Sequence, residues 1–152
     1  MQIQHMSYDE NFAGALASLE EFYADALEES DTTQTASVSP YAATDNKISL
    51  VAVDGEEVTG RLCGSYDPLT NSARIEMLFV NAVQRGRNIG GQLVASFEQT
   101  ARENGVQMLF VDTTSLSSPR FYEKQGFTLI GSIEDYPVAG ETYILMRKRL
   151  SV

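Results

Sequence analysis

The sequence predicts an α/β fold of the α+β kind: a mixed, mostly antiparallel sheet of seven strands with helices on both faces. Three observations carry that expectation. Apolar runs of strand length, separated by Asp-Gly and Asp-Pro turn signals, fill residues 47–80 and read as an antiparallel meander. A strand, a glycine-rich turn, an amphipathic helix and a second apolar strand then follow one another, which makes one βαβ unit with parallel strands. Two more strand-like runs close the chain. At 152 residues, 43% of them hydrophobic, with no break in composition and no internal repeat, the chain fits one domain, 1–152.

Met1 to Met6 alternates imperfectly and reads as a short edge strand. From Tyr8 to Glu29, Phe12, Leu16, Leu19, Phe22, Tyr23, Ala26 and Leu27 recur at spacings of three and four, the pattern of an amphipathic helix. Its polar face is acidic, as a solvated helix face often is. Ser30 to Asn46 has no sustained period and is long for a connection, which makes it a candidate lid over a second substrate. Strands follow at Lys47 to Val53, Glu57 to Tyr66 and Ser72 to Val80, turned by Asp54-Gly55 and by Asp67-Pro68 with Asn71. A helix over Ile89 to Asn104 stops at Gly105, and an apolar strand runs from Val106 to Asp112. Pro119 to Gln125 forms a short helix. Strands at Phe127 to Ile133 and Thr142 to Leu150 are joined by an Asp135-Tyr136-Pro137 turn.

Composition excludes several classes of function. The only cysteine is Cys63 and the only histidine is His5, so no internal disulfide can form and neither residue is assigned a catalytic role; no metal site is expected. A formal charge of −10 argues against nucleic acid, whose phosphates need clustered Lys and Arg, and suits a cationic partner. No basic segment leads into an apolar run at the N-terminus, and no run reaches the roughly 18 apolar residues of a membrane span. The expectation is a cytoplasmic protein with no membrane partner. Strand edges at the C-terminal end leave room for a homodimer.

Chemistry gathers first at Arg85-Gly86-Arg87-Asn88-Ile89-Gly90-Gly91. Three glycines and an asparagine allow positive φ and close backbone approach, and two arginines bring charge. The helix that follows aims unpaired N–H groups at the same place, so the turn suits a phosphate. It lacks the Gly-Lys-Ser/Thr ending of a P-loop. It also sits after a meander, without the acidic residue some 20 positions on that a Rossmann dinucleotide site wants. A second motif stands one strand further on, Pro119-Arg120-Phe121-Tyr122-Glu123-Lys124-Gln125-Gly126-Phe127.

Together, Val80 with Arg85 to Gly90, and Phe121 to Phe127, resemble the paired acetyl-CoA signature of the GNAT superfamily of N-acetyltransferases, and the order of elements matches that fold over nearly the whole chain. The resemblance implies acetyl-CoA as cosubstrate and a primary amine of a small molecule or peptide as acceptor. It implies that the backbone of Leu78, Phe79 and Val80 pairs with the pantetheine arm as an added strand would. Arg85, Gly86, Arg87, Asn88, Ile89, Gly90 and Gly91 would hold the pyrophosphate. Asn88 stands where the family has glycine, and Ser115 stands where many members have a cofactor-binding asparagine, so a weaker or water-mediated contact is expected at Ser115. Tyr122 matches the family's acid, a phenol that protonates the departing thiolate, while Phe121 is assigned to the core.

An alkylamine is protonated at neutral pH, and Glu76, which period two would place on one face with Leu78 and Val80, is the candidate base. An exposed strand residue, or a salt-bridge partner of Arg74, is the competing reading of Glu76. Asp135 and Tyr136 are candidates for lining the acceptor pocket. A non-catalytic acyl-CoA-binding module is the alternative function; it would keep the turn and have no use for Tyr122 and Glu76.

Overall fold

A computed structural model describes residues 1–24, 46–81, 86–115 and 119–150. The elements run β1 (Gln2–His5), α1 (Tyr8–Ala24), β2 (Lys47–Asp54), β3 (Glu57–Asp67), β4 (Ser72–Val80), α2 (Ile89–Glu103), β5 (Met108–Thr114), α3 (Pro119–Lys124), β6 (Thr128–Glu134) and β7 (Thr142–Arg149). The strands form one seven-stranded sheet in the order β1-β2-β3-β4-β5-β7-β6. Among the described strands, only β4 and β5 pair in parallel. This is the mixed, mostly antiparallel sheet that the sequence predicts. The expected lid and the helix beyond residue 24 lie outside the described residues.

Alternation along the strands sorts side chains onto two faces. On one face Ile48, Leu50, Ala52, Leu62, Ala73 and Ile75 join Leu93, Val94, Phe97 and Ala101 of α2 in the hydrophobic core. Two glycines of β3 let α2 sit this low. A Cβ at Gly60 would lie 3.0 Å from the side chains of both Ile89 and Leu93, and one at Gly64 would strike the Phe97 ring. On the other face α1 is pinned by Asn11, wholly buried, whose Nδ2 donates to Ser49 Oγ and to the carbonyls of Leu50 and Leu62, each at 3.0 Å. Hydrogen bonds of that kind satisfy both the buried amide and the strand carbonyls.

The end of α2 sets where β5 begins. Gly105 takes φ 79°, its N–H donates to Arg102 O at 3.0 Å, and Val106 N–H donates to Ala101 O at 3.0 Å. This pair of bonds is a Schellman motif. Val106 is therefore part of the helix stop, and β5 starts at Met108, two residues later than the sequence pattern suggests.

Two irregularities in β4 shape the rest of the molecule. The β4–β5 ladder runs only from Ser72↔Met108 to Ile75↔Val111. Beyond it, β4 stays with β3 as far as Val80↔Gly60, while β5 stays with β7 as far as Thr114↔Tyr143. The two parallel strands thus part at their C-terminal ends and open the sheet. In addition, Cys63 pairs with Met77 but Gly64 pairs with Ile75, so Glu76 is an extra residue, a β-bulge.

At the far edge, β6 exposes Leu129, Ile130 and Ile133. Among the described residues, no helix is long and apolar enough to cross a membrane.

Gly64 gives the packing a direct test. An added methyl at Gly64 would also lie 2.6 Å from the Arg74 carbonyl oxygen, a backbone atom that cannot rotate away. Gly64→Ala is expected to cost about 1–3 kcal/mol of stability in chemical denaturation, the range for overpacking; an unchanged midpoint would show that α2 does not press on β3 there.

Candidate active site

The start of α2 packs beside Val80, on the stretch of β4 that has left β5. Gly86 has φ 88° and Asn88 has φ 58° with ψ 28°, so the turn takes the left-handed conformations that its composition suggests. Arg85 lies outside the described residues. Asn88 is the N-cap of α2, yet its side chain makes no capping bond and no acidic residue stands in the first turn. The helix N-terminus therefore keeps its donors for an anion. Ile89, only 4% exposed, anchors the turn in the core, whereas Arg87 is exposed and lines a small cavity of ≈ 120 Å³ with Asp54, Thr59 and Gln92.

Gly90 closes the triangle of β4, α2 and α3. A Cβ there would lie 3.1 Å from the Phe121 ring and 3.7 Å from Val80 Cγ2. Gly91 is buried, and a Cβ on it would strike the Asn88 side chain. Leu78 and Val80 turn their side chains into the core cluster on the α2 side. What they offer at the opening is backbone. Phe79, between them, is opposite Arg61 in the β3 register.

Glu76 lies on the other face, contrary to the period-two expectation. The bulge breaks the alternation after Ile75, and the Glu76 carboxylate points to the α1 side. There Oε2 accepts a hydrogen bond from the Tyr8 hydroxyl, and Lys47 Nζ stands 3.8 Å from Oε1. Arg74 turns instead to Asp112, 4.0 Å away. Cys63 is buried nearby; burial, and then the Glu76 charge, push its thiol up to about 12, so it is an inert structural thiol at neutral pH.

Tyr122 is 8% exposed and belongs to the core cluster, with its ring edge-on to Phe121 at 5.0 Å and to Phe127 at 5.7 Å between centroids. Phe121 is the less buried of the pair. The Tyr122 hydroxyl has no hydrogen-bond partner among the described residues. Burial, and secondarily the charge of Asp112, hold the phenol above its ordinary value, so it stays a proton donor through the neutral range.

Asp112 is the carboxylate on the β5 side of the opening. It accepts a 2.8 Å bond from the Tyr143 hydroxyl, and Tyr136 packs edge-on against Tyr143 at 5.4 Å. Burial and that bond raise the Tyr143 phenol to about 12. Tyr136 is thereby tied to the opening through Tyr143. Asp135 is occupied in its own turn, with φ 54° and Oδ1 accepting from Gly140 N at 3.0 Å. Ser115 is occupied as well: its hydroxyl donates to Glu141 Oε2 at 3.0 Å and accepts from Thr142 N at 3.1 Å, which fastens the end of β5 to β7.

Sequence reasoning missed Tyr8, Lys47, Asp112 and Tyr143. Asp112 alone carried a readable signal, a carboxylate at the end of an apolar strand.

Comparison with known proteins gives the family and the fold. A model of the acetyltransferase (GNAT) family matches residues 16–127. No curated protein is significantly similar in sequence. Among solved structures, an aminoglycoside 6′-N-acetyltransferase complexed with coenzyme A superposes with a TM-score of 0.72 at 17% identity, over 100% of this chain and 98% of that one. The aminoglycoside 6′-N-acetyltransferase from Enterococcus faecium gives 0.68 at 18%, over 100% and 98%. The ribosomal-protein-alanine N-acetyltransferase from Brucella melitensis gives 0.69 at 21%, over 99% and 100%. At these identities the likeness is one of fold.

The left-handed Asn88 supplies a test of the turn. Alanine at φ 58° carries a penalty of about 1–2 kcal/mol that glycine escapes. Asn88→Ala is therefore expected to lower both stability and CoA affinity, while Asn88→Gly keeps or raises the affinity measured by calorimetry. Equal affinities for the two variants would show that the turn does not depend on this conformation.

Proposed function

The chain belongs to the acetyltransferase (GNAT) family, and from that premise we propose that it transfers an acetyl group from acetyl-CoA to a primary amine of a small molecule or peptide, by direct attack through a tetrahedral intermediate. The single observation that carries the reading is the parting of β4 and β5 directly in front of the uncapped start of α2. A strand edge beside an anion-binding helix end matches a ligand with an amide-bearing arm and a phosphate tail. The fold of a CoA-bound aminoglycoside 6′-N-acetyltransferase supports the same ligand.

The β4 backbone from Leu78 to Val80 would hold the pantetheine arm. Gly86, Arg87, Asn88, Gly90 and Gly91, with Arg85, would hold the pyrophosphate, and Ile89 keeps the turn in place from the core. Acetyl-CoA supplies the activated acyl group as a thioester. Glu76 takes the proton of the acceptor ammonium, directly or through a water, because only the neutral amine is a nucleophile. Tyr122, a phenol held protonated by burial, donates to the departing thiolate. Asp112, Tyr143 and Tyr136 supply a polar and aromatic wall on the β5 side that suits a cationic acceptor, in keeping with the formal charge of −10 and a cytoplasmic setting.

Incubation with acetyl-CoA and a panel of polyamines, aminoglycosides and N-terminal peptides should release free thiol. In the active pairing, Tyr122→Phe is expected to lower kcat on the order of 10²-fold with little change in KM, as loss of a general acid does. Tight CoA binding with no turnover on any amine would replace the enzyme by a binding module.

A further inference from the structure

Glu76 is held in a way that its place on the strand does not require. Its side chain is 8% exposed, and its two oxygens are treated differently. Oε2 accepts the Tyr8 hydroxyl, while Oε1 is buried, accepts no hydrogen bond among the described residues and has only the Lys47 ammonium near it, Nζ 3.8 Å away. At that distance the ammonium offsets the charge of Oε1 but does not fill its hydrogen-bonding capacity, which leaves that oxygen a place for a ligand donor. The support reaches across 68 residues of sequence. Tyr8 opens α1, its ring stacks on Phe12 with centroids 5.6 Å apart, and Lys47 Nζ lies 4.7 Å from the centre of the same ring. Tyr8, Lys47 and Glu76 thus form a compact group on the α1 face, beside the opening between β4 and β5. Burial, and next the bond to Glu76, hold the Tyr8 phenol above its ordinary value, so it remains a donor through the neutral range.

We propose that Tyr8 is the positioning residue for the reaction's proton acceptor, its hydroxyl holding Glu76 Oε2 so that Oε1 is presented to the acceptor amine. This deepens the acetyltransfer reading and rests on it. The step it serves is one proton transfer. The acceptor's N–H bond breaks, Glu76 Oε1 gains the proton, and the nitrogen keeps the electron pair that then attacks the thioester carbonyl. A carboxylate free to rotate would spend much of its time turned away, and orientation is a large part of what such a group contributes.

The test is a double-mutant cycle on kcat with an active amine. Tyr8→Phe keeps the ring and its stacking on Phe12 but removes the donor; it is expected to lower kcat about 10-fold or more with KM little changed. In a Glu76→Gln background the same change should lower kcat no further. A fluorinated analogue of the acceptor, whose less basic amine is already largely neutral, should show a much smaller loss. Phe12→Leu disturbs α1 packing while leaving the hydroxyl, and should not reproduce the dependence on amine basicity. If Tyr8→Phe lowers kcat equally in both backgrounds, or if Phe12→Leu copies its effect, Tyr8 is only structural and the proposal falls. If Glu76→Gln lowers kcat while Tyr8→Phe does not, the base stands and its positioning by Tyr8 is wrong. If Glu76→Gln leaves kcat unchanged, the base assignment fails first and the positioning role with it.

Discussion

A strand can keep its hydrogen bonds with two neighbours only while both follow the same twist, and β4 does not have that choice beyond Ile75. It stays in register with β3 to Val80, while β5 stays with β7 to Thr114. The parallel pair therefore ends after four residue pairs, and the sheet opens at the C-terminal ends of its two parallel strands. Open α/β sheets bind their ligands at such ends. The opening is a consequence of pairing, and the remaining features of the site are arranged around it.

Two details of packing make the opening useful. Gly60 and Gly64 let α2 settle against β3, which brings its uncapped N-terminus to the mouth of the opening. Gly90 admits the Phe121 ring, and that contact carries α3 and Tyr122 to the same place. The bulge then divides the work between the faces. Leu78 and Val80 send their side chains into the α2 core, while Glu76 emerges beside α1, where Tyr8 and Lys47 meet it. One extra residue separates the backbone that would bind the cosubstrate from the carboxylate that would serve the acceptor.

Much of the fold was legible in the sequence because its signals are local. Asp54-Gly55, Gly105 and Gly126 punctuate the chain where the elements turn, and Leu93, Val94, Phe97 and Ala101 mark the buried stripe of α2. The glycine turn and the Tyr122 helix were readable for the same reason. The errors come from non-local geometry. Period-two reasoning assumes unbroken alternation, so it put Glu76 on the face of Leu78; the bulge that moves it depends on pairing with Cys63 and Gly64. The partners of Ser115 are likewise non-local, since Glu141 and Thr142 reach its hydroxyl from the β7 side. Tyr8 and Tyr143 carry no local mark, since each acquires its partner from a distant strand. Phe121 and Tyr122 sit side by side, and only the packing of α3 shows that the tyrosine is the deeper of the two.

The central claim is that the parted edge of β4 and the start of α2 form one continuous binding surface. Residue-level hydrogen exchange with and without CoA addresses it directly. Exchange is expected to slow at amides of β4 from Met77 to Val80 and at those from Gly86 to Gly91, with little change in β2 and β6. Slowing confined to one of the two segments, or centred elsewhere in the sheet, would contradict a single surface built by the separation of β4 from β5.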